Sequence, residues 1–283
     1  MKLPSLQYVA PRSISEACQL LADDDDAKVL AGGQSLMPLL AIRLASPTTV
    51  VDIGNVEGLR DIEQVGSYVK FGALVTHEAV IDSPLVQESM PFVAEAGHFI
   101  AHAQIRSRGT LGGSIAHGDG AGEWPLMLLT MDGMVEVESV RGRRTVEADD
   151  LFVGPYMTSM SADEIITDVW IPQRTTGWSF QEVARRIGDY GLAIIGCALD
   201  FEDEVVSAAR ITVGAAAGSV QRIPAAEEAV VGLEVNSDLA VTAGAAAAES
   251  LNFISDIHGS TEYRRHLVRS LVERAINQAG GRR

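Results

Sequence analysis

Two segments of the sequence repeat one arrangement of small residues, and they constrain the fold more than any other feature. Residues 29–36 read Val-Leu-Ala-Gly-Gly-Gln-Ser-Leu, and residues 110–119 read Thr-Leu-Gly-Gly-Ser-Ile-Ala-His-Gly-Asp. Paired glycines let successive backbone N–H groups converge on an anion, because no Cβ keeps the anion away. We therefore interpret both segments as phosphate-binding loops, which together suit a diphosphate that joins two nucleoside-like halves.

The common nucleotide-binding fingerprints are missing from both segments. Neither contains G-x-G-x-x-G, and no Gly-Lys-Ser/Thr P-loop occurs, so an ordinary nucleotide-binding fold is disfavoured. A single Gly-Gly-x-Ser is usually only a turn, and the interpretation therefore depends on the repetition. Asp119 and Glu123, which lie at and just after the second segment, could accept hydrogen bonds from ribityl or ribose hydroxyls.

Helix and strand signals predict three consecutive units of α+β structure, over residues 1–56, 57–176 and 177–283. In the first unit, a capping box at residues 13–16 opens a helix, and strands follow at 28–31 and 49–53. The second unit has predicted strands at 67–75 and 165–171, a helix at 85–101 interrupted near Pro91, and a hairpin at 134–146. In the third unit, strands at 180–184, 193–201 and 209–213 precede helices at 225–231, 239–250 and 261–278.

The formal charge of −16 excludes two classes of partner. A surface this acidic repels nucleic-acid phosphates and anionic lipid, so we expect neither nucleic-acid nor membrane binding. No signal peptide is visible, and no apolar run approaches the roughly 20 residues that span a bilayer. The sequence therefore predicts a cytoplasmic protein.

Cysteine and histidine usage indicates that no metal centre is built from this chain. The two cysteines, Cys18 and Cys197, cannot supply the four thiolates of an iron–sulfur cluster, so any such cluster must lie on another chain. We predict both cysteines to be buried. His98 and His102 are spaced one helical turn apart but lack further ligands. Without a catalytic constellation of side chains, any redox chemistry must come from a bound cofactor.

The glycine segments resemble the signature segments of the FAD-binding (medium) subunits of molybdenum hydroxylases, the family of xanthine dehydrogenase and carbon monoxide dehydrogenase flavoproteins. Residues 31–36 are similar to its Ala-Gly-Gly-x-Ser-Leu pattern. Residues 110–119, preceded by Arg-Ser-Arg-Gly, are similar to Thr-Ile-Gly-Gly-x-x-Ala-His-x-Asp. Further similar stretches are residues 163–166, 185–190 and 263–265. The similarity runs in order along nearly the whole chain.

This resemblance implies a vanillyl-alcohol oxidase-type FAD-binding fold with two N-terminal subdomains and a C-terminal domain like that of CO dehydrogenase flavoproteins. It implies that Glu123 contacts the FAD sugar region, that Ile100 and Ile166 line the cofactor and that Tyr190 covers one face of the isoalloxazine ring. The full set of implied FAD-binding residues is Val29, Leu30, Ala31, Gly32, Gly33, Gln34, Ser35, Leu36, Ile100, Thr110, Leu111, Gly112, Gly113, Ser114, His117, Asp119, Glu123, Ile166 and Tyr190.

Two positions depart from the family pattern. Gly120 replaces a proline that is common after the aspartate, and Gln181 stands where several relatives place a lysine near the flavin. Loss of that positive charge would lower the potential of the flavin. Gln34 and the Asp-Gly-Ala-Gly-Glu stretch at 119–123 are most similar to members that act on N-heteroaromatics, such as quinoline or caffeine dehydrogenases.

The resemblance implies an electron-transfer role within a larger enzyme. Electrons would reach the FAD from 2Fe-2S clusters on a small partner and pass to an external acceptor. A large partner would hold the molybdenum cofactor, in an (αβγ)2 assembly. Two alternatives stay open: a self-contained flavin oxidase of related fold, which usually needs a substrate cap domain, and a scaffold subunit without flavin.

Overall fold

The computed structural model describes residues 3–283, and its chain begins with a small parallel sheet. The elements of this first part are β1 (Gln7–Val9), α1 (Ile14–Asp23), β2 (Lys28–Leu30), α2 (Leu36–Ala41) and β3 (Thr49–Asp52). The strand order is β1-β3-β2, with both pairings parallel. Since parallel strands end at the same edge of a sheet, the residues after β2 and β3 emerge side by side. The first glycine segment therefore lies at the carboxyl edge of this sheet.

The middle of the chain forms an antiparallel sheet that is covered by short helices. Its elements, in chain order, are β4 (Ile62–Val65), β5 (Tyr68–Gly72), α3 (His77–Asp82), α4 (Pro84–Ser89), α5 (Pro91–Gly97), α6 (Ala103–Arg106), α7 (Leu111–His117), α8 (Glu123–Thr130), β6 (Met134–Ser139), β7 (Gly142–Glu147), α9 (Ala148–Leu151), β8 (Phe152–Gly154), β9 (Met157–Thr158) and β10 (Ile165–Pro172). The main sheet has the order β4-β5-β10-β6-β7, and β8 pairs with β9. Along β6, buried and partly exposed residues alternate, so this sheet has one face in the core.

The last part of the chain is a second antiparallel sheet with helices on one side. It contains β11 (Trp178–Ala184), β12 (Gly191–Glu202), β13 (Val205–Gly214), β14 (Gln221–Arg222), α10 (Pro224–Val230), α11 (Ser237–Ser250) and α12 (Thr261–Gly281), with strands in that order. Ser260 caps α12, since its hydroxyl accepts a hydrogen bond from the N–H of Tyr263. Buried Arg264 ties α12 to the sheet by donating to the carbonyls of Leu192 and Ala215.

The α+β class and most of the predicted elements are confirmed. Ser13 caps α1 as its sequence predicts, by accepting from the N–H of Glu16. The helix predicted at 85–101 is two helices that meet at Met90 and Pro91. Both cysteines are buried, as expected. Within residues 3–283, no helix combines the length and the apolar character needed to cross a bilayer.

One structural expectation was wrong: the second glycine segment is not an open loop. Residues 111–117 form α7, and Thr110 caps it by accepting a hydrogen bond from the N–H of Gly113. A close contact with Ala73 explains why this helix contains a glycine at residue 112. A Cβ on Gly112 would lie 2.6 Å from the Cβ of Ala73. Here the glycine permits packing and does not form a turn.

The middle and last parts of the chain meet along α8. The hydroxyls of Thr130 and Thr212 are hydrogen-bonded at 2.5 Å across this contact, in a fully buried position. At the start of α8, a Cβ on Gly120 would lie only 2.0 Å from the carbonyl oxygen of Gly218. This close backbone approach accounts for glycine, in place of the family's proline, at residue 120.

A buried histidine holds the second glycine segment in position. The indole N–H of Trp124 in α8 donates to Nδ1 of His77 at 2.8 Å, and the backbone N–H of His77 donates to the carbonyl of Gly109. Burial, with a smaller effect of the Arg106 charge, lowers the pKa of His77 to about 4. The imidazole is therefore neutral at physiological pH and accepts the indole proton.

The neutral state of His77 predicts an acid-dependent loss of stability. Because the pKa is about 4 in the folded chain and 6.5 in the unfolded chain, the unfolded chain binds more protons between these values. Stability contributed by this group is present above pH 6.5 and is lost as pH falls toward 4. Replacement by Gln, which keeps an acceptor for Trp124, should remove an acid-induced loss of about 3 kcal/mol. Urea unfolding of wild type and His77→Gln across this range tests the prediction, and parallel pH profiles would contradict it.

Candidate cofactor-binding site

The two glycine segments lie against each other and line one groove. Val29 and Ala31 come from the first segment, Gly112 and Gly113 from the second, and Ile166 from β10 closes the same space. A Cβ on Gly113 would be 3.6 Å from the Cβ of Ala31. The structure thus brings together segments that are about 80 residues apart in the sequence. Most of the side chains that line this groove are small or apolar.

The first segment offers a row of free backbone donors. The N–H groups of Gly32, Gly33, Gln34 and Ser35 donate no hydrogen bond to any residue within 3–283. Gly33 has a φ of 73°, a left-handed conformation that favours glycine, and this turn separates β2 from α2. The side-chain amide of Gln34 donates to the carbonyl of Gly32. Such unpaired N–H groups fit the oxygens of a bound phosphate.

The second segment differs, because its backbone donors are already used. The N–H groups of Leu111 and Gly112 donate to the carbonyls of Val75 and Ala73, and that of Gly113 donates to the hydroxyl of Thr110. The hydroxyl of Ser114 has no partner among the described residues. This segment therefore offers close approach and one hydroxyl, whereas the first segment offers the backbone donors.

The contact between the segments requires glycine at residue 32. A Cβ there would lie 2.3 Å from the carbonyl oxygen of Arg108 and 2.8 Å from the Cα of Gly109. Both are backbone atoms, so a flexible side chain cannot move aside to make room. Arg106 fixes the stretch before this contact by pairing with Glu78 and by donating to the carbonyls of Ile100 and Ala101.

A second set of residues, all of them predicted except Tyr156, gathers beyond the carboxyl end of α7. The rings of His117 and Tyr156 are 5.1 Å apart, and Asp119 is buried and accepts a hydrogen bond from the N–H of Ala121. Glu123, four residues after Asp119, begins α8. Tyr190, on the turn between β11 and β12, faces this set with 70% of its surface exposed. An exposed aromatic beside a groove is available to cover a bound ring.

Burial shifts two carboxyls in this region toward the protonated form. Burial raises the pKa of Glu123 to about 7, and the charge of Asp119 adds to the effect. Burial also raises the pKa of Glu182, in β11, to about 8, with a further contribution from Glu123. Oε2 of Glu182 is buried and makes no hydrogen bond within residues 3–283. Neither carboxyl has a basic partner among these residues.

The side chain of Gln181 points toward α12. Its side-chain amide donates to Oε1 of Gln278 in α12 at 2.5 Å and to the hydroxyl of Ser179. Neighbouring residues of a strand face opposite sides of the sheet, so Glu182 is on the other face. On that face, Phe180 packs against Phe92 and Phe99. Strand alternation therefore places Gln181 and Glu182 on opposite faces of the sheet, with Gln181 on the α12 side.

Other predicted residues are placed in the protein core or at the groove's edge. Ile100 and Leu111 are buried in the core of the middle sheet, and Leu111 contributes its side chain to packing alone. Leu30 and Leu36 are partly buried beside the first segment.

Sequence reasoning missed Tyr156, Met160, Glu164 and Glu182. No glycine or hydroxyl pattern marks these positions, although alternation along β11 could have indicated Glu182.

Among the described residues, no group of three or more His, Cys, Asp or Glu side chains could hold a metal ion. His98 ends α5 and His102 precedes α6, so the two are not on one helix face.

Glu164, which lines the groove, pairs with Arg144 through two hydrogen bonds of 2.7 Å. This pairing holds the pKa of Glu164 below its usual range.

Comparison with known proteins gives full-length matches. Residues 4–174 match the family described as FAD binding domain in molybdopterin dehydrogenase, and residues 178–279 match the CO dehydrogenase flavoprotein C-terminal domain. The chain is 58% identical to the nicotine 6-hydroxylase medium subunit of Paenarthrobacter nicotinovorans, over 100% of both chains. It is similar to quinoline 2-oxidoreductase from Pseudomonas putida 86, with a TM-score of 0.94 and 39% identity over 99% of each chain. Carbon monoxide dehydrogenase from Hydrogenophaga pseudoflava has a TM-score of 0.97 and 36% identity, over 100% of this chain and 99% of that chain.

The groove and these matches define the protein as the flavoprotein component of an oxidoreductase, with FAD as its cofactor. The chain belongs to the family of FAD-binding domains of molybdopterin dehydrogenases, and it also carries the family's C-terminal domain. The resemblance drawn from the sequence is confirmed. The residues present fit the cofactor, because unpaired donors and Cβ-free positions lie together on one groove.

The contact at Gly32 predicts a sharp response to a single methyl group. Gly32→Ala should push the two segments apart, at a cost of about 1–3 kcal/mol in stability, and FAD affinity should fall with it. Gly154→Ala is the matched control, since a Cβ there meets only atoms at 3.7 Å or beyond. Thermal unfolding of the FAD-free chain and FAD titration measure the two effects. Equal behaviour of the two variants would show that the segments do not depend on this contact.

Proposed function

We propose that this chain is the FAD-binding medium subunit of a heterotrimeric molybdenum hydroxylase. It passes electrons from 2Fe-2S clusters on a small partner to an external acceptor, while a large partner holds the molybdenum cofactor and hydroxylates the substrate. The proposal includes an (αβγ)2 assembly in the cytoplasm. The observation that carries it is the groove between the two glycine segments, on a chain similar over its full length to a named medium subunit.

Each part of the groove has a proposed role. The N–H groups of residues 32–35 donate to the FAD diphosphate, and the hydroxyls of Ser35 and Ser114 add side-chain donors. Val29, Ala31 and Ile166 form an apolar wall, while Gly112 and Gly113 allow close approach. When bound, FAD links one-electron carriers to an external acceptor. The residues of the chain hold and shield it, and none is needed as a general acid or base.

The set beyond α7 is proposed to hold the sugar and ring portions of the cofactor. Asp119 and Glu123 accept hydrogen bonds from hydroxyls, and His117 supports Tyr156 by ring contact. Tyr190 covers one face of the isoalloxazine ring. The remaining predicted residues, which are Leu30, Gln34, Leu36, Ile100, Thr110 and Leu111, support these groups through packing and backbone contacts.

We also propose the division into residues 1–56, 57–176 and 177–283, with two FAD-binding subdomains and a C-terminal domain. The sheet order supports this division, because each of these stretches contains a separate main sheet. An N-heteroaromatic substrate for the complex is part of the proposal. Its support is the similarity to nicotine 6-hydroxylase and quinoline 2-oxidoreductase, whose names specify compounds with nitrogen-containing aromatic rings.

Noncovalent FAD binding is the first prediction from this function. The purified chain should show oxidised-flavin absorption, and acid precipitation should release the FAD into the supernatant. We expect release because both cysteines are buried away from the groove, so neither can tether a flavin. Flavin retained in the pellet would favour a self-contained oxidase. A chain that stays colourless after incubation with FAD would favour the scaffold role.

The electron route predicts a second result, in the complete complex. An N-heteroaromatic substrate added without oxygen should bleach both the iron–sulfur and the flavin absorption. In the same complex stripped of FAD, the substrate should still bleach the iron–sulfur bands, while reduction of a dye acceptor falls at least about tenfold. Adding FAD back should restore it. Dye reduction that is unchanged by FAD removal would contradict this electron route.

A further inference from the structure

Helix α2 (Leu36–Ala41) is an apolar element that the rest of the chain leaves largely uncovered. Its sequence is Leu-Met-Pro-Leu-Leu-Ala, and of these residues only Leu40 is buried. None of its side chains belongs to the three apolar clusters that form the core. Within residues 3–283, no other helix or strand packs extensively against α2. A helix that is apolar all round is normally buried, so α2 is an exception that calls for a covering surface.

The turn after α2 extends this apolar surface and fixes its shape. Ile42 is 56% exposed and Leu44 is 77% exposed, while Met37 in the helix is 37% exposed. The N–H group of Leu44 donates to the carbonyl of Leu39 at 2.9 Å, which closes the end of the helix. The backbone thus holds Leu44 in place although its side chain lies in water. Contiguous exposed apolar side chains mark interaction sites.

Arg43 places one positive charge in the middle of this surface. Its φ is 61°, a left-handed conformation that favours glycine, and its N–H group donates to the carbonyl of Leu40. The side chain is exposed and forms no salt bridge within residues 3–283. An unpaired guanidinium is available to a carboxylate of a partner. Methionine and arginine are also enriched in the cores of protein–protein interfaces.

Two observations indicate what covers the surface formed by α2 and residues 42–44. A symmetric contact between two copies, centred on α2, would bring their Arg43 side chains together, and like charges disfavour it. The surface also begins next to Ser35, the last of the residues with free N–H donors, and a Cβ on Gly33 would lie 3.2 Å from the Cγ of Met37. A protein docked on α2 therefore stands beside the segment proposed to hold the cofactor.

We propose that α2 and residues 42–44 dock the small 2Fe-2S partner, with Arg43 facing a carboxylate of that partner. This inference rests on the proposed function, which requires an electron donor beside the cofactor. The large partner has no such requirement, because its electrons reach the FAD through the small partner. The apolar side chains contribute most of the binding free energy, and Arg43 sets the register of the contact.

The first test is photo-crosslinking in the complete complex, with benzoyl-phenylalanine in place of Leu44. Since the side chain of residue 44 is largely exposed in this chain, a covering protein must lie within its reach. Irradiation should join the chain to the small partner, as identified by mass spectrometry of the crosslinked peptide. A crosslink to the large partner or to a second copy of this chain would overturn the inference, as would the absence of any crosslink.

The second test measures affinity for the small partner by native mass spectrometry of the complex on dilution. Leu44→Asp should raise the Kd at least about tenfold, because it places a charge in the apolar contact. Val140→Asp is the matched control, since Val140 is also an exposed apolar residue, in the turn between β6 and β7. Its Kd should stay within about twofold of the wild-type value. Equal Kd values for the two variants would contradict docking on α2.

Arg43→Gly separates a docking role from a structural one. Glycine adopts the left-handed conformation without strain, so the thermal unfolding midpoint of the isolated chain should stay unchanged or rise. The Kd for the small partner should nevertheless increase at least about threefold, because the charge is lost. A lower midpoint with an unchanged Kd would show that Arg43 serves the fold alone, and the assignment of Arg43 would be wrong.

Failure of this inference is distinguishable from failure of the proposed function. A complex that assembles and transfers electrons, but in which residue 44 crosslinks elsewhere, overturns the docking surface and leaves the proposed function intact. A chain that binds neither partner overturns the proposed function, and the inference with it.

Discussion

The backbone contact between Gly32 and the Arg108–Gly109 peptide is the constraint on which the rest of the site depends. It joins the first parallel sheet to the middle of the chain without any side chain between them. Because the contact uses the Cα side of Gly32, the N–H groups of the same segment stay free of internal partners. His77 then holds Gly109 from behind through its backbone N–H. Packing on one side of this segment thus leaves its backbone N–H groups free to bind a ligand on the other side.

Local signals in the sequence were sufficient for most of the fold, because caps and periodicity act over a few residues. Ser13 and Ser260 each cap a helix by accepting a hydrogen bond from the N–H group three residues later, and Pro91 separates two helices. Local signals did not predict that residues 111–117 form a helix. A glycine pair reads as a turn, and only the approach of Ala73, distant in sequence, shows that these glycines are needed for helix packing.

The part of the candidate site that is built from the repeated glycine segments could be predicted from the sequence. The part that depends on the orientation of single side chains could not. Two segments with the same glycine–hydroxyl pattern indicated a shared groove, and they do line one groove. Gln181 and Glu182 are adjacent, so position along the chain could not say which of them faces α12. The hydrogen bonds to Gln278 decide it, and they depend on the docking of α12 against the sheet. The orientation of Gln181 is therefore fixed only when α12 is packed against the sheet.

A chain with a formal charge of −16 must hold an anionic cofactor without repelling it. The carboxyls of Glu164, Glu123 and Glu182 meet this requirement in two ways. Glu164 is paired with Arg144, and Glu123 and Glu182 lie where burial keeps a proton on the carboxyl near neutral pH. The net charge is then distributed over the rest of the surface, where water screens it. This reduction of local negative charge is consistent with the proposal that backbone N–H groups hold the diphosphate.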